Sequence, residues 1–346
     1  MQHLRFGIVG SGFMGRTHAE AVRRSSSTEL VAVAGGRRAP ELAKDYGVVC
    51  EDNVEKLLIR ADIDAVVITT PHHLHVSETV LALSEGKHVL VEKPLSTSVA
   101  DAERMINVAE HNKRILCTGY HQRFRKNNAT ARQLIADNAI GQVQAIQISM
   151  PTYAATIKSG GFGGNWEWWN DPASLGHILN SAPHAIDLMR WFTGAEINTV
   201  SAFCRTFLSK IMVEDTTMAL MELSNGVICS LFSSRALSAP SFPGEDFRIR
   251  IMGSTGLLDL DAYRDLNISD EKGWRKVSSQ PVVGHEGANT AFGDIRMQAY
   301  TDQIASFMDV IHGKPDVVGS AHDGRAGVAG CIAMLTSSAE RRWVDL

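Results

Sequence analysis

Two side chains have the chemistry to move a proton on and off an oxygen: Lys93, in Glu92-Lys93-Pro94-Leu95, and His184, in Asn180-Ser181-Ala182-Pro183-His184-Ala185-Ile186-Asp187. A lysine at the end of a buried strand can hydrogen-bond a substrate oxygen and favour its alkoxide. Pro183 is tolerated in a helix only within the first turn, which predicts a helix beginning near Asn180 or Ser181, either of which can cap it. That start puts His184 in the first turn, where the positive end of the helix dipole would keep the imidazole neutral, as a base must be. A single lysine can equally be a surface charge and a single histidine a core residue. Spacing alone does not bring the two together.

A third feature is Gly10-Ser11-Gly12-Phe13-Met14-Gly15, which follows an apolar run and precedes a helical one. In that setting Gly10 makes a tight turn, Gly12 lets the backbone approach a pyrophosphate, and Gly15 allows close helix–strand packing. The N-terminus of the helix that follows would offer its N–H groups to the phosphates, and Phe13 and Met14 of the loop are expected at the cofactor. A methyltransferase can use a related loop, so the motif implies a nucleotide before it implies hydride transfer. After the second strand comes Gly35-Gly36-Arg37-Arg38, with no acid to bind ribose hydroxyls. A guanidinium can fork onto a 2′-phosphate, so NADP is the preferred cofactor and NAD a possible one; Arg37 and Arg38 could also be only a solvated helix start. Two further strand ends, Thr69-Thr70-Pro71-His72-His73-Leu74-His75 and Glu92-Lys93, are expected to contact the cofactor through Thr70, Pro71, His72, His75, Glu92 and Lys93. Zinc on His72, His73, His75 or His177 would lack cysteine partners and an HExxH pair, so no metal is expected.

These residues need a scaffold. From Leu4 to about Thr118, strand-like runs (Leu4–Val9, Leu30–Ala34, Ala65–Thr70, His88–Val91, Ile115–Thr118) alternate with helical ones (Thr17–Arg24, Pro40–Tyr46, Val54–Leu58, Val76–Glu85, Val99–His111). Repeated βα units predict a Rossmann-type, doubly wound parallel sheet, over residues 1–121. Residues 122–346 open with a helix near Asn128–Ala136. The strand-like segments that follow are Gln144–Met150, Asn198–Phe207, Thr216–Leu223, Val227–Ser233, Phe247–Ile251 and Leu257–Leu260, and helices at Tyr300–Ile311 and Ala326–Arg342 close the chain. Ser224-Asn225-Gly226 reads as a hairpin turn. This predicts an α+β domain with a large, open-faced, mainly antiparallel sheet, through which a homodimer or homotetramer would form.

Composition limits the alternatives. At 346 residues the chain suits two domains, and a net charge of −4 argues against nucleic acid as partner. No apolar stretch approaches the roughly 20 residues of a membrane span, and no secretory signal is visible, so the expected compartment is the cytoplasm. The five cysteines are scattered and are expected to pack as small buried hydrophobes.

Taken together, the glycine loop, Glu92-Lys93-Pro94, Gly119-Tyr120-His121-Gln122-Arg123-Phe124, His184-Ala185-Ile186-Asp187, Val213-Glu214-Asp215-Thr216, Ile251-Met252-Gly253-Ser254-Thr255-Gly256 and the closing helix after Asp323-Gly324 resemble the Gfo/Idh/MocA family nearly end to end. The resemblance implies that Lys93 and His184 flank a substrate. Lys93 would polarise the reacting oxygen and His184 exchange its proton. Four positions before the histidine the family usually has an acid; here Asn180 can orient a hydroxyl but cannot shuttle a proton. The family's smaller glycine cluster is reduced to Ser174-Leu175-Gly176-His177. Tyr120, Arg123, His177 and the aromatic run with Trp166 and Trp168 are expected at the substrate, because aromatic faces stack on sugar C–H faces. The implied reaction is hydride transfer between nicotinamide and a secondary alcohol or ketone of a sugar, polyol or cyclic diol. Alternatives are an aromatic cis-dihydrodiol dehydrogenase, a catalytically silent NAD(P)-binding sensor or regulator, and an enzyme whose cofactor never leaves.

Overall fold

The computed structural model describes residues 3–153, 172–207, 213–237, 247–280, 292–315 and 317–346. The described residues up to His121, with those from Phe292 to Arg325, form one compact unit; those from Gln122 to Gln280, with Ala326–Leu346, form the other.

In the first unit, β1 (Leu4–Val9), α1 (Phe13–Arg24), β2 (Thr28–Ala34), α2 (Ala39–Tyr46), β3 (Val49–Cys50), α3 (Val54–Leu58), β4 (Ala65–Ile68), α4 (His75–Ser84), β5 (His88–Val91), α5 (Val99–His111) and β6 (Leu116–Thr118) alternate along the chain. The strands are parallel, in the spatial order β6-β5-β4-β1-β2-β3. Their apolar runs are buried because helices cover both faces: Phe6, Ile8, Val33, Val67 and Leu90 have no exposed surface. The two-residue strand β3 lies at the sheet edge, and its Cys50 is exposed, contrary to the expectation that every cysteine is buried.

The chain re-enters this unit late, so Tyr120 and His121 mark the end of the parallel sheet but not of the unit. A helix, Asp294–Ile311, packs along α1, and Phe307 meets Phe6 edge-on at 6.3 Å. Gly319–Ser320 then pairs antiparallel with β6.

In the second unit, α6 (Lys126–Ala136), β7 (Val143–Tyr153), α7 (Gly176–Thr193), β8 (Ile197–Arg205), β9 (Thr216–Leu223), β10 (Ile228–Leu237), β11 (Arg248–Gly253), β12 (Leu257–Asp261), β13 (Asp265–Asp270) and β14 (Gly273–Ser279) follow one another. Later come α8 (Asp294–Ile311, of the first unit), β15 (Gly319–Ser320), α9 (Ala321–Glu340) and β16 (Val344–Asp345). The sheet order is β14-β13-β12-β11-β7-β10-β9-β8-β16, antiparallel except between β7 and β10. One face packs on α7: Ile146, Ile148, Leu231 and Ile249 are buried with Ile186, Met189 and Phe192. The other face keeps large apolar side chains exposed, among them Phe203, Met218, Leu220, Ile228, Met252 and Trp274. Among the described residues no helix is long and apolar enough to cross a membrane.

Candidate active site

In the first sheet β1 lies between β2 and β4, the place where strand order reverses and where ligands settle at the carboxyl ends of the strands. Gly10 leaves β1 with φ +102°, and a Cβ there would stand 2.6 Å from Thr69 Oγ1. A Cβ on Gly15 would stand 2.0 Å from the Gly10 carbonyl oxygen, so only glycine lets α1 pack this close to the loop. Gly12 differs. It is the N-cap of α1, has no side-chain cap, and a Cβ built on it meets nothing within 4 Å. The first-turn N–H groups of α1 point along the axis into that open space. This cradle fits a dinucleotide pyrophosphate. Gly36, with φ +81°, brings the end of β2 against the loop, where a Cβ would lie 2.6 Å from Ser11 Oγ. Arg37 and Arg38 beyond it are exposed, and Arg38 is the N-cap of α2.

The other strand ends are tied down by buried polar groups. Thr70 donates its hydroxyl to Glu78, whose carboxyl is pushed up to about 7 by burial. His75 is fully buried, with Nδ1 2.8 Å from the Pro94 carbonyl oxygen and Nε2 2.9 Å from that of Thr70. It therefore fastens the loop after β4 to the one after β5 rather than facing a ligand; burial lowers its pKa, against the pull of those carbonyls. His72 is also buried, edge-on to His75, while Pro71 precedes its short turn. Glu92 is buried at the end of β5, 2.7 Å from His18 Nε2. Burial raises the Glu92 pKa, but the hydrogen bond from His18, with the charges of His18, Lys93 and His75, holds it below the ordinary value. Lys93 follows, half-buried.

Phe13, in the glycine loop, lies under the Arg296 guanidinium, 4.6 Å from the ring centre, while Met14 is partly exposed. Arg296 also sits over Tyr300 and contacts Thr17 Oγ1 at 3.2 Å. Sequence reading missed Arg296, Tyr300 and His18. The one available signal was His18 itself, one helical turn after Gly15 on the buried side of α1. Tyr120 has no exposed surface, and Gly319 packs onto its ring. It is a packing residue of this unit rather than an open substrate contact.

In the second unit, α7 carries His177, Asn180, Ser181 and His184 at helical spacings of three and four, so they share one side. The helix begins at Gly176, about one turn before the start predicted from Pro183. His184 is thus mid-helix, and the dipole reason for its neutrality does not hold. The cause is Glu214. Its carboxylate accepts the Ile178 N–H and its carbonyl the His177 N–H, which stabilises a first turn upstream of the proline. Pro183 then stands in the interior with no N–H to offer Leu179. Burial pushes Glu214 up to about 7. His184 is buried and Asn180 half-buried. His177 Nε2 lies 3.1 Å from Ser233 Oγ and 3.3 Å from Ser181 Oγ. Arg123 grips Asp187 through Nε (2.9 Å) and Nη2 (2.5 Å), with its guanidinium over Trp191, so its charge is committed to α7. Trp166 and Trp168 lie outside the described residues. Lys93 belongs to the first unit and His184 to the second.

Comparison with known proteins extends this picture. Residues 4–120 match the oxidoreductase family model described as an NAD-binding Rossmann fold, and residues 128–259 match the GFO/IDH/MocA C-terminal domain. The chain is 27% identical to an inositol 2-dehydrogenase of Rhizobium meliloti, covering 99% of each. It is 26% identical to a 1,5-anhydro-D-fructose reductase of Ensifer adhaerens, over 97% of this chain and 96% of the relative. A scyllo-inositol dehydrogenase of Lactobacillus casei, solved with NAD(H) and scyllo-inositol, superposes with a TM-score of 0.80 at 26% identity, covering 99% of each chain. With its glycine cradle at the strand-order reversal and both of its domain models matched, the chain belongs to the Gfo/Idh/MocA oxidoreductases.

Proposed function

We propose that this protein is an NAD(P)-dependent dehydrogenase or reductase acting on a secondary alcohol or ketone of a cyclic polyol or sugar. The cradle at Gly10, Gly12 and Gly15 carries the reading, since it supplies the dinucleotide on which the rest depends. End-to-end likeness to inositol and sugar dehydrogenases supports the substrate class. The bound nicotinamide would take or give the hydride at the alcohol carbon. Lys93 hydrogen-bonds the reacting oxygen and stabilises it as it gains negative charge. His184 takes the hydroxyl proton in oxidation and returns it in reduction. Asn180, one turn before His184, orients a hydroxyl without carrying charge. At the end of β2, Arg37 and Arg38 are exposed and no acid accompanies them, which favours NADP over NAD.

A panel of inositols, anhydrosugars and cyclic diols run with both cofactors, following reduced-nicotinamide absorbance, tests this. Turnover is expected with at least one polyol and a higher kcat/KM with NADP. Lys93→Ala and His184→Ala should each lower kcat more than a hundredfold with cofactor binding within about threefold. Full turnover in either variant overturns the assigned roles.

We also infer that the exposed sheet face pairs with a second copy of the chain. In register, Phe203, Met218 and Phe232 form one cross-strand row, and Ile228, Ala145, Met252, Leu257, Ser269 and Trp274 another. Arg250, Asp259, Asp265 and Lys276 place both signs of charge on the same sheet, as a self-complementary interface requires. Light scattering should give two or four protomers, and a monomer at micromolar concentration overturns it.

A further inference from the structure

His18 and Glu92 form a pair sealed from water inside the first unit, directly before Lys93. Glu92 is held ionised, so it accepts, and Nε2 of His18 carries the hydrogen. Nδ1 of His18 is buried with no hydrogen-bond partner among the described residues, so the bond to Glu92 is the polar tie that they give this ring. The imidazole cannot swing away, because Tyr300 of α8 meets it edge-on at 5.6 Å and is itself stacked on His121 at 4.6 Å. Arg296 reaches the Tyr300 hydroxyl and covers Phe13 of the glycine loop. The second carboxylate oxygen of Glu92 accepts the backbone N–H of Lys93 at 3.2 Å.

We propose that His18 is a positioning residue for Lys93: by bonding Glu92 it fixes the start of the lysine's loop and keeps a carboxylate beside the ammonium. This rests on the reading that Lys93 acts on the reacting oxygen. Among the described residues, the charged and titratable groups around the pair are Lys93 and His75 beside Glu92, and Tyr300, backed by Arg296 and His121, against His18. Charge attraction is mutual, so the carboxylate that Lys93 helps keep ionised attracts the charge of the lysine in turn. Without His18, a carboxyl buried this deeply takes up a proton and the lysine loses its counter-charge.

The test needs no known substrate. Lys93 is acetylated by trace acetic anhydride across a pH series, and the labelled peptide is quantified by mass spectrometry. His18→Leu should lower the labelling midpoint of Lys93 by about one pH unit. His18→Gln, which restores an N–H donor, should return it to the wild-type midpoint. Dinucleotide affinity should stay within about threefold in both variants, because the glycine cradle is unchanged. One midpoint shared by all three proteins overturns the proposal, as does a Gln variant that behaves like Leu. If His18→Leu does not fold, the Glu92→Gln variant takes its place with the same expected shift. Should Lys93→Ala retain turnover, the reading beneath the proposal fails; should it be inactive while His18→Leu keeps the wild-type midpoint, only the role of His18 fails.

Discussion

Two helix starts in this molecule meet the same electrostatic requirement in opposite ways. Both α1 and α7 begin without a side-chain cap from the N-cap residue, at Gly12 and Leu175, and each has first-turn N–H groups that the helix itself cannot satisfy and the positive end of a dipole there. At α7 the protein supplies its own acceptor: the Glu214 carboxyl reaches the Ile178 N–H, and Gly176, with φ +77°, is pressed against Val213. At α1 a Cβ built on Gly12 meets nothing within 4 Å among the described residues. A helix start filled by an internal carboxylate is part of the frame, whereas one left open by glycine receives an anion from outside. The filled start also explains why the helix bearing His184 can begin ahead of a proline.

The comparison can be broken most sharply in the glycine loop. Gly15→Ala drives a methyl into the Gly10 carbonyl and should both lower the melting temperature and abolish dinucleotide binding. Gly12→Ala adds the same methyl to open space in an extended backbone, so the melting temperature should hold while the dinucleotide Kd rises more than tenfold, read by fluorescence titration. Equal effects of the two changes would mean that the open start is not a binding site.

Glu214→Gln tests the filled start. The folded carboxyl takes its proton near 7, against an ordinary 4.5 in the unfolded chain, so the native state loses stability as pH rises from 4.5 through about 7. The glutamine keeps the acceptor for Ile178 but cannot ionise. Denaturant titrations should find the variant equal to wild type at pH 4 and more stable at pH 8, by about 3 kcal/mol at most. Parallel stability curves would show that Glu214 ionises freely. Smallest of the three is Ser98→Ala, at an ordinary start where Ser98 Oγ accepts the Asp101 N–H. It should lose about 1 kcal/mol and leave cofactor affinity untouched.

What could be read in advance follows from how local each signal is. The parallel sheet was legible because buried strands read as apolar runs, and Leu4–Val9, His88–Val91, α3 and α5 fall where their residues predict. The strands β13 and β14 escaped, since DLNISD and GWRKVSS are polar and β14 is largely exposed. The start of α7 escaped because its capping carboxylate lies 36 residues away in sequence. His75 and Glu92 were legible as polar residues at strand ends, but not as buried ties, because their partners Pro94 and His18 come from other segments. Arg296 and Tyr300 carried no local signal at all; they matter through Phe13 and His18, at the far end of the chain.

The late return of α8 and β15 has a consequence for how the molecule is made. The parallel sheet of the dinucleotide unit leaves the ribosome before the sheet of the second unit, yet Phe307 for Phe6, Tyr300 for His18 and Gly319 for the β6 edge arrive only after that second sheet has been synthesised. A nascent chain therefore exposes one side of α1 and an open sheet edge for most of translation. A fragment stopped after His121 should accordingly be retained by chaperones rather than bind nucleotide, although every glycine of the cradle is already in it.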